Sequence, residues 1–199
     1  LTSIKAAGHY YQRVHDLSLA NANRSSDPEL VRTARYYELP YRVLGRQPGR
    51  VAIVGAGMGN DVAAALRNGA QAVDAVEIDP AILLLGRLYH PERPYADPRT
   101  HAVVDDARSF LRTTNHSYDL VVFGLLDSHT LLSHASAVRL DSFVYTVEAF
   151  REARRHLAPG GILSLSFSVL SEENGGKIYG MVKEAFDGQP PVSVMGGYD

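Results

Sequence analysis

Four groups of residues in this chain have types and spacings that can do chemistry together, and each closes an apolar run. Gly55, Ala56, Gly57 and Gly59 follow the run Val51-Ala-Ile-Val54, and Glu77 and Ile78 end the run that starts at Val73. Asp105, Asp106 and Ala107 follow Val103-Val104, and Asp127 follows Leu120–Leu126. Glycine lets a backbone turn sharply and approach a ligand that a Cβ would block. The helix-like segment that follows points its free N–H groups at whatever lies over the loop. Glu77 stands 22 residues after Gly55, where a nucleotide-binding βαβ unit keeps a carboxylate for ribose hydroxyls. A carboxylate suits that task because both of its oxygens only accept. The combination points to a bound nucleoside.

The other acids divide between capping and catalysis. Asp79 is expected to cap the helix that Pro80 opens. One of the pair Asp105 and Asp106 is enough to cap the next short helix. The second, Asp106, is placed to accept the adenine amino group, with a nearby backbone N–H left for a ring nitrogen. Asp127 lies beyond the fourth apolar run, where a reacting group would sit. An attacking amine must be neutral, and a carboxylate there can orient it and take its proton.

The glycine spacing narrows the ligand. A dinucleotide loop places its third glycine three residues after the second, to seat a pyrophosphate. Here that position is Asn60, and the third glycine comes one residue early. NAD is therefore the lesser reading. The G-x-G-x-G form resembles class I methyltransferases, which bind S-adenosylmethionine and have no phosphate to cradle.

These residues need a scaffold that brings the ends of several strands together. Strands are predicted at 51–55, 73–78, 101–104, 119–124 and 161–167, each a short apolar run without alternation, as in a parallel sheet buried on both faces. Helices are predicted from Glu29 to Leu44, capped by Asp27 with Pro28 at the first position, and at 60–68, 80–89, 107–113, 146–157 and 175–186. Leu157–Gly161 reads as a helix stop and turn. The alternation implies an α/β fold with a doubly wound, mostly parallel Rossmann-like sheet. Residues 1–48 form an N-terminal segment contributing to the site, and 49–199 a nucleoside-binding domain, expected to be cut short at its C-terminal end, where Val194–Asp199 looks like a strand edge. Residues 125–145 form a long connection, expected to be functional.

Composition sets bounds. At 199 residues and 45% hydrophobic, the chain can bury one core. A net charge of −2 gives no basic field for nucleic acid. There is no Cys, so no disulfide, thiolate metal site or Cys nucleophile. The eight His show no metal spacing, and the longest apolar stretch is far too short to span a bilayer. A start at Leu1 is expected for a domain taken from a longer protein.

With these residues assembled, the chain resembles the spermidine synthase-like branch of the S-adenosylmethionine-dependent transferases. The resemblance runs from about Tyr10 to Phe186. It rests on Ile53-Val-Gly-Ala-Gly-Met-Gly59, Val76-Glu-Ile-Asp-Pro80, Asp97-Pro-Arg99 followed by Asp105-Asp106-Ala107, Tyr118-Asp119, and Phe150 to Gly161. It implies Glu77 on the ribose, Asp106 on the adenine amino group and Gln12 on the nucleoside. Tyr37, beside Glu38, then lines the amine pocket, and 125–145 becomes a flap. The co-substrate implied is S-adenosylmethionine or its decarboxylated form, and the partner an amine-like acceptor. A homodimer, a covalently attached membrane domain, and a cytoplasmic location, free or as part of an inner-membrane protein, are compatible with it.

Two positions depart from the family pattern. Met58 stands where the family has an Asp that holds the aminopropyl end of the donor, and Gly124 where it has the amine's base. Asp127 is the well-placed acid that remains, with Glu38 or Asp61 as candidates to help it. A diamine's two charges need opposing carboxylates, so putrescine is expected to be a poor acceptor. Aminopropyl transfer, methyl transfer and a catalytically silent nucleoside-sensing module all stay open on these residues.

Overall fold

Lack of alternation in the apolar runs has a direct structural outcome. The computed structural model describes residues 2–6, 9–22, 27–124, 144–167 and 172–194. Its first elements are an antiparallel hairpin, β1 (Thr2–Ala6) and β2 (His9–Val14), a short helix α1 (Leu19–Ala22) and a long one, α2 (Pro28–Leu44). Then come β3 (Arg50–Val54), α3 (Asn60–Arg67), β4 (Ala72–Glu77), α4 (Pro80–Tyr89), β5 (Thr100–Val104), α5 (Ala107–Thr113), β6 (Tyr118–Phe123), α6 (Val147–Arg155), β7 (Leu157–Leu165) and α7 (Glu172–Ala185). The five strands from β3 onward form one parallel sheet in the order β5-β4-β3-β6-β7. Along β3, Val51 and Ile53 enter one apolar cluster, and Ala52 and Val54 enter the other. Both faces are buried, so every residue of the run is apolar.

The first cluster packs Tyr37 and Tyr41 of α2 and Val62 and Ala65 of α3 against the sheet. The second packs Phe110 and Leu111 of α5, Phe150 and Ala153 of α6 and Ala185 of α7 on the opposite face. Strand order winds outward from β3 to β5, then restarts beside β3 at β6. That reversal opens a crevice beyond the strand ends, where ligands of such sheets bind. The mid-strand acid of β4, Asp74, is 2% exposed and is held by Arg50 Nη1 at 3.0 Å and the Tyr118 hydroxyl at 2.9 Å.

Local signals set the helix starts. Asp27 accepts from the Glu29 N–H, with Pro28 first in the helix, and Asp79 accepts from the Ala81 N–H. The predicted helices at 80–89 and 107–113 coincide with α4 and α5. The expected turn at Leu157–Gly161 lies within β7. There the ladder jumps from Tyr118 opposite Leu157 to Leu120 opposite Ile162, so the Pro-Gly segment bulges out of register. The strand therefore ends at Leu165, two residues before its predicted end. The N-terminal hairpin was not predicted. Residues 195–199, at the end of the expected C-terminal strand edge, lie outside the described residues.

Phe150 is fully buried and meets Phe123 edge to face with ring centroids 5.7 Å apart. Phe150→Ala should cost about 3–5 kcal/mol of stability, the range for a large core truncation. Urea unfolding checks this; a loss below about 1 kcal/mol would mean that α6 is not part of the cooperative core.

Candidate active site

The glycine loop after β3 is held from all sides. Gly57 and Gly59 have φ of 54° and 105°, the left-handed region where other residues are strained. A Cβ on Gly57 would lie 2.8 Å from Gln12 Oε1, and one on Gly59 would lie 2.8 Å from Pro94 Cγ and 3.0 Å from the Tyr95 ring. The early third glycine thus has a steric cause: the segment after α4 packs against it. The Tyr95 hydroxyl donates to the Gly57 carbonyl at 2.7 Å. Four loop N–H groups in a row are already engaged: Ala56 with Val76 O, Gly57 with Glu77 Oε2, Met58 with Gln12 Oε1 and Gly59 with Ala56 O. Gly55 and Gly124 face each other across the next strand, the Gly124 Cβ position lying 3.1 Å from Gly55 O.

Asn60 occupies the position of the missing fingerprint glycine, and its side chain is a hub. Its Oδ1 accepts from the His15 N–H at 3.2 Å, and its Nδ2 donates to Arg13 O at 2.8 Å and to the Tyr37 hydroxyl at 3.0 Å. The His90 ring completes the set, with Nε2 at 3.2 Å from Oδ1. His90 Nδ1 accepts from the Glu92 N–H, so Nε2 carries the proton and donates. Tyr37 is accordingly buried under the loop, in the core cluster, with its hydroxyl turned to Asn60.

The residues that end β4 and β5 lie at neighbouring strand ends beside the glycine loop. Glu77 is 4% exposed; Oε2 accepts from Gly57 N–H at 2.8 Å and Oε1 from Asp79 N–H at 2.9 Å. Each oxygen keeps a second lone pair. Ile78 and Val104, at neighbouring strand ends, are 51% and 54% exposed, apolar surface open to a flat ring. Asp106 caps α5, its Oδ1 accepting from Arg108 and Ser109 N–H. Asp105 Oδ1 accepts from Asp106 N–H, and Ala107 is buried at the start of α5. The cap uses one oxygen of Asp106, Oδ1.

The acceptor side reads differently. Asp127 lies outside the described residues, as does 125–143 of the expected flap. Met58 is fully buried against Val14 and Ile82, so its side chain packs inward and does not face the crevice. Asp61, in the first turn of α3, places Oδ2 3.2 Å from the Cβ position of Gly124. Burial pushes its carboxyl up to about 7, against the opposing pulls of Arg67 and its own backbone N–H. Tyr145 bridges the strand ends, its hydroxyl within reach of Ser166 O at 3.0 Å and Gly124 O at 3.3 Å. Sequence reasoning missed the roles of Asn60, Tyr95 and Tyr145. A polar residue in place of the fingerprint glycine was the one signal for the first.

The spermine/spermidine synthase domain family matches residues 39–174, more than half of the chain. The chain belongs to that family. It is 35% identical over 134 residues to polyamine aminopropyltransferase 1 of Streptomyces coelicolor, covering 64% of this chain and 24% of that protein. It is 29% identical over 119 residues to the polyamine aminopropyltransferase of Korarchaeum cryptofilum, covering 58% and 34%. The chain thus spans about a quarter to a third of the length of these two relatives. A spermidine synthase solved with the transition-state analogue AdoDATO superposes with a TM-score of 0.62 at 18% identity, over 76% of this chain and 52% of that one. A SAM-dependent methyltransferase from Agrobacterium tumefaciens gives 0.55 at 15%, over 80% and 50%. These two likenesses establish a shared fold. Among the described residues, no helix is long and apolar enough to cross a membrane.

Two groups near the glycine loop, His90 and Asp61, are shifted in opposite senses. Burial first, then the Arg67 charge, lowers His90 to about 4. An unfolded histidine titrates near 6.5, so acid protonates the unfolded chain first and stability falls as pH drops from about 6.5 towards 4. Asp61, raised to about 7 from an unfolded value near 3.9, takes its proton first in the folded chain, so stability rises as pH falls below 7. The two offset each other. Asp61→Asn should leave His90 unopposed, with unfolding free energy falling by about 2 kcal/mol between pH 7 and pH 5 through that residue. Urea unfolding at the two pH values checks it; the same pH slope in both proteins would mean Asp61 titrates as a solvated acid.

Proposed function

We propose that this chain is the catalytic domain of an aminopropyltransferase, taking decarboxylated S-adenosylmethionine as donor and an amine as acceptor. The observation that carries the reading is the engaged glycine loop. With the N–H groups of Ala56, Gly57, Met58 and Gly59 all bonded inside the protein, the loop offers no cradle for a pyrophosphate. A nucleoside without phosphate suits it. Glu77 receives the ribose hydroxyls, Ile78 and Ala107 flank the base, Asp106 accepts the adenine amino group through its uncapping oxygen, and Gln12 closes the loop side. Family membership and the names of the relatives favour aminopropyl over methyl transfer.

The reaction is an in-line displacement. The acceptor nitrogen attacks the carbon bonded to the sulfonium, the C–S bond breaks with its electrons going to sulfur, and methylthioadenosine leaves. The donor already carries its leaving group, so the protein positions the acceptor and keeps its nitrogen unprotonated. Asp127 remains a proposal for orienting that nitrogen, and Tyr37 supports the pocket from beneath through Asn60.

Calorimetric titration tests the reading. Methylthioadenosine should bind and NAD should not, and Glu77→Gln should weaken methylthioadenosine by about 1.5–3 kcal/mol, the range for hydrogen bonds to a charged group. NAD binding as tight as methylthioadenosine would sink it, and unchanged affinity in a folded Glu77→Gln protein would remove Glu77 from the ribose.

A further inference from the structure

An acid that the family pattern places after the fourth strand of the sheet is missing here, yet the space beside Gly124 is not without charge. Gly124 ends β6 at the point where strand order reverses, with β3 and Gly55 alongside. A Cβ at 124 would lie 3.2 Å from Asp61 Oδ2 and 3.1 Å from Gly55 O. Any side chain at 124 would press on that carboxylate. Among the described residues, the donor to the Asp61 carboxylate is its own backbone N–H. Arg67 from α3 is the charge that bears on it, and the Asp61 carboxylate in turn helps burial to raise the neutral Tyr41 hydroxyl of α2. Asp61 is in a partly buried setting, open enough to meet a ligand and dry enough to be costly to ionise.

We infer that Asp61 is the carboxylate that receives the acceptor amine and takes its proton, a charge moved from the end of β6 to the start of α3. The inference rests on the aminopropyltransferase reading above. The acceptor arrives as a primary ammonium and gives one proton to Asp61. Its freed lone pair attacks the carbon on sulfur, the C–S electrons go to sulfur, and a secondary ammonium and methylthioadenosine result. Asp61 then releases its proton to water. A carboxyl raised to about 7 is a stronger base than an ordinary one, which suits proton transfer near neutral pH. Putrescine is thus an acceptor the site can hold, contrary to the expectation drawn from Met58 and Gly124.

The test compares the parent chain with Asp61→Asn, an isosteric change. Methylthioadenosine affinity should agree within about twofold, because the donor half is untouched. Putrescine affinity, measured by calorimetry in protein saturated with methylthioadenosine, should fall at least about tenfold. Turnover of decarboxylated S-adenosylmethionine with putrescine, followed by methylthioadenosine release, should fall about 10²–10⁴-fold in kcat/KM, the range for a lost general base. The acid limb of its pH profile near 7 should vanish. Asp61→Asn should also melt higher than the parent at pH 8, which separates loss of function from loss of fold. Putrescine binding and turnover unchanged in Asp61→Asn would overturn the assignment, and so would a parent that binds methylthioadenosine but no putrescine. Failure of the parent to bind methylthioadenosine would instead overturn the nucleoside reading on which it stands.

Discussion

Asn60 uses every hydrogen-bonding position of its side chain, and it does so on four separate segments: β2, the residues just after it, α2 and the end of α4. Those segments lie up to about 77 residues apart in the chain (His90 minus Arg13), and the side chain is 2% exposed. A buried amide left without partners costs roughly 1–3 kcal/mol per group, so the segments must arrive together or not at all. The same hairpin strand carries Gln12 to the glycine loop, where Glu77 from the end of β4 and Tyr95 from the segment after α4 meet it. The hub also accounts for its own sequence anomaly. A glycine at 60 would leave the hairpin with no anchor on α3.

The loop's ligand preference follows from that anchoring. Phosphate-binding loops work because their N–H groups have no internal partner and point at the anion. Here the same groups are spent on a carboxylate, an amide and two carbonyls of the protein. What remains at the crevice is acceptor capacity on Glu77 and bare apolar surface on Ile78 and Val104. That set favours hydroxyls and a flat ring. Met58 fits the same logic: it fills an apolar pocket with Val14 and Ile82, where a carboxylate would lie buried without a partner.

The parts that were legible in the sequence are those governed by local or periodic rules. Unbroken apolar runs gave the parallel strands because both faces of the sheet are covered, as the split of Val51 and Ala52 between two clusters shows. Asp27, Asp79 and Asp106 announced their helices because a cap acts within three residues of itself. Spacing along one βαβαβ run singled out Glu77 and Asp106, which the structure places at the ends of β4 and β5. What escaped depends on partners distant in sequence. Nothing near Asn60 or Tyr95 signals a bond to Tyr37 or Gly57, and the hairpin before α1 carries no clean alternation. The bulge at Leu157–Gly161 was read as a turn because Pro and Gly mark both, and the neighbouring strand decides between them.

Gly124 and Asp61 show why substitutions at such a site must be read in pairs. The Cβ of any residue at 124 would sit within 3.2 Å of the Asp61 carboxylate and 3.1 Å of the Gly55 carbonyl. An acid at 124 would therefore place two carboxylates and a carbonyl oxygen together, and like charges at that range cannot both ionise. In the proposed site the charge beside Gly124 is supplied from the helix start, by Asp61. Supplying it from the first turn of α3 has a physical advantage, since the helix N-terminus favours an anion there. It also has a cost, seen in the raised carboxyl of Asp61, which is ionised at the expense of its hydration. On that proposal a missing acid at 124 does not by itself leave the site without charge, because Asp61 lies beside the same position.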